Sequence, residues 1–131
     1  MIQRVLKEDL TEFIAKAEIV KHARMVYDHI ALAVSKSAGP IPQLLIAQVA
    51  DMLLNMTDVQ ASFVISERTD GKIGISARSM GKMNVQVIME RLGGGGHLTN
   101  AAVQLDTSLE EAEKQLMDVL ADIKAKEGLF E

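Results

Sequence analysis

The sequence predicts an α/β fold, a mixed β-sheet with helices packed on it in the order α-β-α-β-β-α-β-α, and three observations carry that prediction. Apolar residues recur at helical spacing in some segments and alternate in others. Asp70-Gly71 separates two runs of strand formers, as in a tight antiparallel hairpin. Helical and strand-like segments also interleave along the chain instead of falling into separate blocks. With 131 residues, 48% hydrophobic and 24% charged, the chain has the length and composition of one domain spanning residues 1–131, and no repeat, charge block or linker divides it.

The first element is an amphipathic helix over Leu6–Val20, where Leu10, Phe13, Ile14 and Ala17 share one face among Lys, Glu and Asp. Alternation of Val26, Ile30, Leu32 and Val34 predicts a strand over Met25–Val34. Residues 35–40, Ser-Lys-Ser-Ala-Gly-Pro, interrupt it, and Pro42 opens a largely apolar helix over Gln43–Met56. Val59–Ser66 and Lys72–Arg78 form the hairpin around Asp70-Gly71. Asn84 is placed to cap a short helix whose Val85, Ile88, Met89 and Leu92 lie on one side. Four glycines end that helix, and a strand follows over Ala101–Leu105. Ser108 and Glu111 have the spacing of a capping box for the last helix, with Leu109, Ala112, Leu116, Val119, Leu120 and Ile123 facing inward.

Composition excludes several functions. There is no Cys, which removes disulfides, thiolate metal sites and a cysteine nucleophile. The net charge is −4 and aromatics are 3% of residues, with no Trp, whereas proteins that track a long nucleic acid carry a basic face and stacking aromatics. No apolar run approaches the ~18 residues of a membrane span. No H-E-x-x-H, aspartate cluster or Gly-x-Ser-x-Gly elbow occurs. Asp28-His29 superficially suggests a ligand pair, but neighbours on a strand point to opposite faces. The chain reads as a binder that lacks its catalyst.

The binding chemistry concentrates in Gly93-Gly94-Gly95-Gly96-His97. Four adjacent glycines lose much backbone entropy on folding, so something must compensate for them. A helix C-cap accounts for Gly93, and close packing of backbone on the sheet is a second structural explanation. The functional alternative is a nest of bare amides that receives a phosphate, with His97 adding a donor. Arg78 is the other candidate. On its strand Gly74, Ser76 and Arg78 share the face opposite Ile73, Ile75 and Ala77. Its guanidinium fork matches phosphate oxygens, Ser76 and Ser79 offer hydroxyls, and Gly74 leaves room above the sheet. A solvated or salt-bridged arginine is the plainer explanation for Arg78 alone.

The run Ile75–Val103, with Ser-Ala-Arg-Ser followed by Gly-Gly-Gly-Gly-His, resembles the DHH-associated carboxyl-terminal domain, subtype one, of the DHH phosphoesterase family. Within that family the stretch from Gln43 through Glu131 is most similar to membrane-anchored cyclic-di-AMP phosphodiesterases of the GdpP type. The resemblance implies a substrate-binding domain working beside a catalytic DHH domain of the same chain, which holds two manganese ions on Asp and His ligands. Residues 1–22 would connect the two. No cofactor or metal would be bound by this segment, and no residue in it would be catalytic. Gly93, Gly94, Gly95, Gly96 and His97 would hold the phosphate or adjoining nucleoside of cyclic di-AMP or a linear dinucleotide, with Arg78, Ser79 and Asn84 nearby. The whole would be a cytoplasmic part of a membrane-anchored bacterial protein, without direct membrane contact or a long nucleic acid as partner, and it admits a homodimer. Related domains in single-strand exonucleases, oligoribonucleases and alanyl-tRNA synthetases keep a nucleic-acid-binding module as the alternative.

Overall fold

The structure is a computed structural model that describes residues 9–36 and 39–127. It has the expected α/β architecture, with four helices among the described residues on the two faces of a six-stranded mixed sheet. The elements are α1 (Leu10–Val20), β1 (Arg24–Val26), β2 (Ile30–Val34), α2 (Gln43–Leu54), β3 (Ala61–Glu67), β4 (Ile73–Ser79), α3 (Val85–Arg91), β5 (Gly95–His97), β6 (Asn100–Leu105) and α4 (Leu109–Glu127). The strand order is β1-β2-β3-β4-β6-β5, and only β2 and β3 are parallel, joined through α2. Of the first predicted helix, residues 6–8 lie outside the described residues, as do residues 37–38 of the Ser-Lys-Ser-Ala-Gly-Pro break.

Two expected segments are subdivided. The strand predicted over Met25–Val34 folds as a hairpin, because Tyr27 and Asp28 take positive φ angles of 52° and 72° and turn β1 back onto β2. Asp28 and His29 therefore belong to a turn, not a strand, and His29 Nδ1 lies 3.0 Å from the Asp58 carbonyl oxygen. The end of the glycine run, expected as a loop, forms the edge strand β5, paired antiparallel with β6.

Alternating side chains divide the core into two layers. Ile30, Leu32, Val34, Ala61, Phe63, Ile65, Ile73, Ile75 and Ala77 face α3 and α4, where Ile88, Met89, Leu116 and Leu120 close the layer. Ala31, Ala33 and Val64 face the other way, toward Ile46, Val49, Ala50 and Leu53 of α2 and Ile19 of α1. Burying one such large side chain contributes roughly 1.5–3 kcal/mol, so the two layers together supply the main driving force. The large-small alternation of Ile-Ala-Leu-Ala-Val in β2 brings helices close on the alanine side.

Asn84 caps its helix as expected, and of the Ser108–Glu111 box the Ser108 bond is present. Asn84 Oδ1 accepts from the Val87 amide and Ser108 Oγ from the Glu111 amide. Two ion pairs tie α4 to its neighbours, Arg91 to Asp122 at 2.7 Å and Arg24 to Glu113 at 2.6 Å. Arg91 and then Lys126 hold the Asp122 carboxyl below its ordinary range. In α1 the buried side is Lys16 and Ile19, with Ala15 and Val20 partly covered, while Leu10, Phe13 and Ile14 are 71%, 51% and 52% exposed. The apolar spacing thus marks the helix but not the face that packs. Among the described residues no helix is long and apolar enough to cross a membrane.

Candidate functional site

The α2 side of the sheet is covered unevenly. Helix α2 lies over β3 and β4, whereas no described helix lies over β6 and β5 on that side, and Asn100, Ala102 and Gln104 of β6 are exposed there. The register then fixes which residues share this open face. Arg78 pairs with Asn100, and Asn100 pairs with His97. Directly paired residues project to the same side, so Arg78, Asn100 and His97 form one row across three strands, about 10 Å wide at ~4.8 Å per strand spacing. The next row on that face is Ser76, Ala102 and Gly95, and the next holds Gly74 and Gln104.

Arg78 sits where α2 meets the uncovered strip. Its Nε donates to Asp51 Oδ1 of α2 at 2.9 Å and its Nη1 to the Ala77 carbonyl at 3.0 Å, with the side chain 13% exposed. The salt-bridged arginine of the plainer sequence reading is therefore present. Those bonds also orient the fork, since neither uses Nη2. His97 is exposed and its ring makes no hydrogen bond among the described residues.

The glycine run resolves into four different positions. Gly93 has φ +99° and donates its amide to the Glu90 carbonyl, and the Gly94 amide donates to the Met89 carbonyl. Both amides thus close the end of α3. They are spent in a cap, and a nest built from all four amides does not form. A Cβ on Gly94 would lie 2.2 Å from the Ala102 carbonyl oxygen, and one on Gly96 would lie 2.4 Å from Ala101 Cα at a φ of +145°. Gly95 is different: its φ is not positive and a Cβ there meets nothing within 4 Å. It borders Ala102 on the open face, so neither backbone conformation nor packing accounts for it.

Two of the sequence-selected residues are not brought into the Arg78 row. Ser79 follows the parity of Ala77 onto the opposite face, is buried, and donates its hydroxyl to the Met83 carbonyl at 2.6 Å while accepting from the Gly81 amide at 2.8 Å. The Asn84 side chain caps α3. Both shape the turn that precedes α3, whose Val85 amide reaches the Leu98 carbonyl in the β5–β6 turn. The room expected above Gly74 is filled by the Arg68 stem, with Cγ and Cδ 3.2 Å from a Cβ position. Arg68 and Asn100 are neighbours of the site that sequence reasoning missed, because their relevance depends on cross-strand register, which no local pattern reveals.

Manganese, which the resemblance places elsewhere in the protein, has no fitting donor set here: among the described residues no three His, Cys, Asp or Glu side chains are grouped to hold a metal ion. His29, in the β1–β2 turn, lies outside the row.

Comparison with known proteins gives the arrangement its relatives. The chain is 50% identical over 123 residues to the cyclic-di-AMP phosphodiesterase GdpP of Geobacillus thermodenitrificans (strain NG80-2), covering 93% of this chain and 19% of that one. It is 50% identical over 121 residues to the cyclic-di-AMP phosphodiesterase PdeA of Listeria monocytogenes serotype 1/2a (strain 10403S), covering 92% and 18% respectively. The chain therefore spans less than a fifth of the length of these curated relatives. Among solved structures, an exopolyphosphatase-related protein from Bacteroides fragilis has the same fold, with a TM-score of 0.80 at 21% identity over 91% of this chain and 36% of that one. The model of the DHHA1 domain matches residues 30–126, from β2 into the last turn of α4, and this chain belongs to the DHHA1 domain family.

Proposed function

We propose that this domain recognises the phosphate and adjoining nucleoside of cyclic di-AMP, or of its linear product pApA, for a phosphodiesterase whose catalytic DHH part lies outside these 131 residues. Manganese, which the resemblance places on Asp and His ligands of that part, would supply the chemistry of water activation there. The domain's own residues bind and orient. Arg78 presents an oriented guanidinium to one phosphate, His97 adds a donor across the row, and Gly95 keeps the floor between them free of a side chain. Ser79, Asn84, Gly93, Gly94 and Gly96 shape the loop and edge strand that hold His97 in place. The parent is read as membrane-anchored with this domain on the cytoplasmic side, as the resemblance implies.

The observation that carries this reading is the Arg78–Asn100–His97 row on an uncovered sheet face, beside a glycine that packing does not require. Support comes from the 50% identity to two cyclic-di-AMP phosphodiesterases. Binding of cyclic di-AMP to the full-length protein is expected to exceed that of a single-stranded oligonucleotide. A ligand with two phosphates also limits the salt dependence, so log K against log[salt] should have a slope no steeper than about −1.4 at ~0.7 per phosphate. A steeper slope and tighter binding of the oligonucleotide would favour a nucleic-acid module instead.

His97→Ala in the same protein is expected to lower kcat/KM roughly ten- to a hundred-fold, the value of one charge-assisted hydrogen bond. The exposed ring contributes little to packing, so Tm and metal content should stay unchanged. A lowered Tm with unchanged kcat/KM would assign His97 to the fold.

A further inference from the structure

Beyond the Arg78 row, the uncovered face continues into a cavity of about 480 Å³, lined by Gln43, Arg68, Lys72, Gly94 and Gln104 among others. Such a volume is within the ~300–1,000 Å³ of small-ligand sites. Its lining is not that of an anion pocket. Arg68 is matched by a carboxylate, since its Nε meets both Asp70 oxygens at 3.2 Å. Two primary amides and a floor of Gly94 and Ala102 make up much of the remaining wall. Neutral donors and acceptors around a floor with almost no side chains suit a planar heterocycle.

The spacing fits the same occupant. The row of Ser76, Ala102 and Gly95 lies two residues from the Arg78–Asn100–His97 row, about 7 Å at ~3.3 Å per residue, and Gly74 and Gln104 lie the same step further on. A ribose holds a base about one such step from its own phosphate. A nucleotide whose phosphate sits at the row therefore lays its base over Ala102 and Gly95, with the outer edge of that base toward Gln104. Gly95, which neither packing nor backbone conformation requires, then leaves room for the ring. One phosphate is held on this face, and the other stays available for hydrolysis by the catalytic part.

At that edge one side chain can offer a donor and an acceptor together. The Gln43 amide is engaged at both ends, because Oε1 accepts from Arg68 Nη1 at 3.0 Å and Nε2 donates to Oγ of the buried Ser76 at 2.8 Å. Lys72 is an exposed cation on a flexible stem, a donor without fixed direction. Gln104 is exposed on a paired strand, and its side-chain amide makes no hydrogen bond among the described residues. A carboxamide matches the adjacent amine N6 and ring nitrogen N7 of adenine, whereas the same edge of guanine presents two acceptors, O6 and N7.

We infer that Gln104 selects the base of the nucleotide whose phosphate sits at the Arg78–His97 row, pairing its carboxamide with the N6–N7 edge of adenine. The inference rests on the reading of that row given above.

Equilibrium binding of pApA and pGpG to the full-length protein, with divalent metal chelated to prevent turnover, tests it. Gln104→Ala is expected to lower the pApA/pGpG affinity ratio about ten-fold, the discrimination a bidentate pair to a base edge supplies. Gln104→Arg, whose two donors match the O6–N7 edge of guanine, is expected to lower it further. Arg78→Ala is expected to weaken both probes and leave the ratio in place. An unchanged ratio in both Gln104 variants, whether or not the two probes weaken together, would overturn the role of Gln104 while leaving the row intact. If Arg78→Ala weakened neither probe, the row would fail and this inference with it. Gln104 is exposed, so both of its variants should keep the wild-type Tm and report on recognition alone.

Discussion

Gly94→Ala is expected to destabilise the domain by about 3 kcal/mol or more, at the upper end of what overpacking costs. The added methyl would lie 2.2 Å from the Ala102 carbonyl oxygen and 2.7 Å from Val103 Cα, both backbone atoms of β6. Backbone in a paired strand cannot retreat as a flexible side chain would, so β5 must lift from β6 or the end of α3 must shift. Gly96→Ala adds a strained φ to a 2.4 Å approach and should behave alike. For a domain of this size such losses lower Tm by roughly 10 °C. Gly95→Ala makes the opposite forecast. With open space and no positive φ, it should leave Tm within a few degrees, or raise it slightly by restricting the unfolded chain. Its methyl would nevertheless stand on the floor beside Ala102, where it reduces affinity for a dinucleotide. Thermal melts of the three variants, with binding measured on the stable one, check this pattern. Equal stability of Gly94→Ala and Gly95→Ala would show that β5 does not approach β6 as described.

This division of labour within one motif shows what a sequence can and cannot reveal. Gly-Gly-Gly-Gly-His marks an unusual backbone, and the helix cap at Gly93 follows from its position after Leu92. Which glycine meets a backbone and which faces open space depends on the β5–β6 register, a long-range property. The elements around the motif are legible because their signals are local. Asp70-Gly71 forms its turn, with φ +86° at Gly71, and Asn84 and Ser108 cap the helices they precede. The hairpin at Tyr27-Asp28 is hidden for the converse reason, since Tyr27 is no usual carrier of positive φ, no Gly or Pro marks the turn, and the even spacing of Val26, Ile30, Leu32 and Val34 spans it. The first helix fails in another way. Leu10, Phe13 and Ile14 have the periodicity of a core face, yet α1 meets α2 through Ile19 and through Lys16, whose Nζ lies 3.4 Å from Gln48 Oε1. Periodicity identifies a helix, and only tertiary packing selects its buried side.

For the proposed activity, Arg78→Ala in the full-length protein is expected to have the largest effect, a loss of roughly a hundred-fold or more in kcat/KM for cyclic di-AMP. A fork making two charge-assisted hydrogen bonds to one phosphate loses both at once, each typically worth ~1.5–3 kcal/mol. Folding should be little affected. The partner left behind, Asp51, is 59% exposed and remains hydrated as an anion, so no buried charge is stranded. Arg78→Lys discriminates between two roles. A lysine keeps the positive charge but has neither the planar fork nor the Nε that Asp51 orients, so recovery should be less than about ten-fold if geometry matters. Full recovery would mean that only the field of a cation is needed. Asp51→Asn then tests orientation directly. It keeps a hydrogen-bond acceptor for Nε at 2.9 Å while removing the charge that competes with a phosphate for the guanidinium. Affinity should hold or rise in that variant, whereas Asp51→Ala, which frees the fork to rotate, should weaken it. If both Asp51 variants weakened binding equally, the carboxylate charge and not the fork's position would be what the site requires.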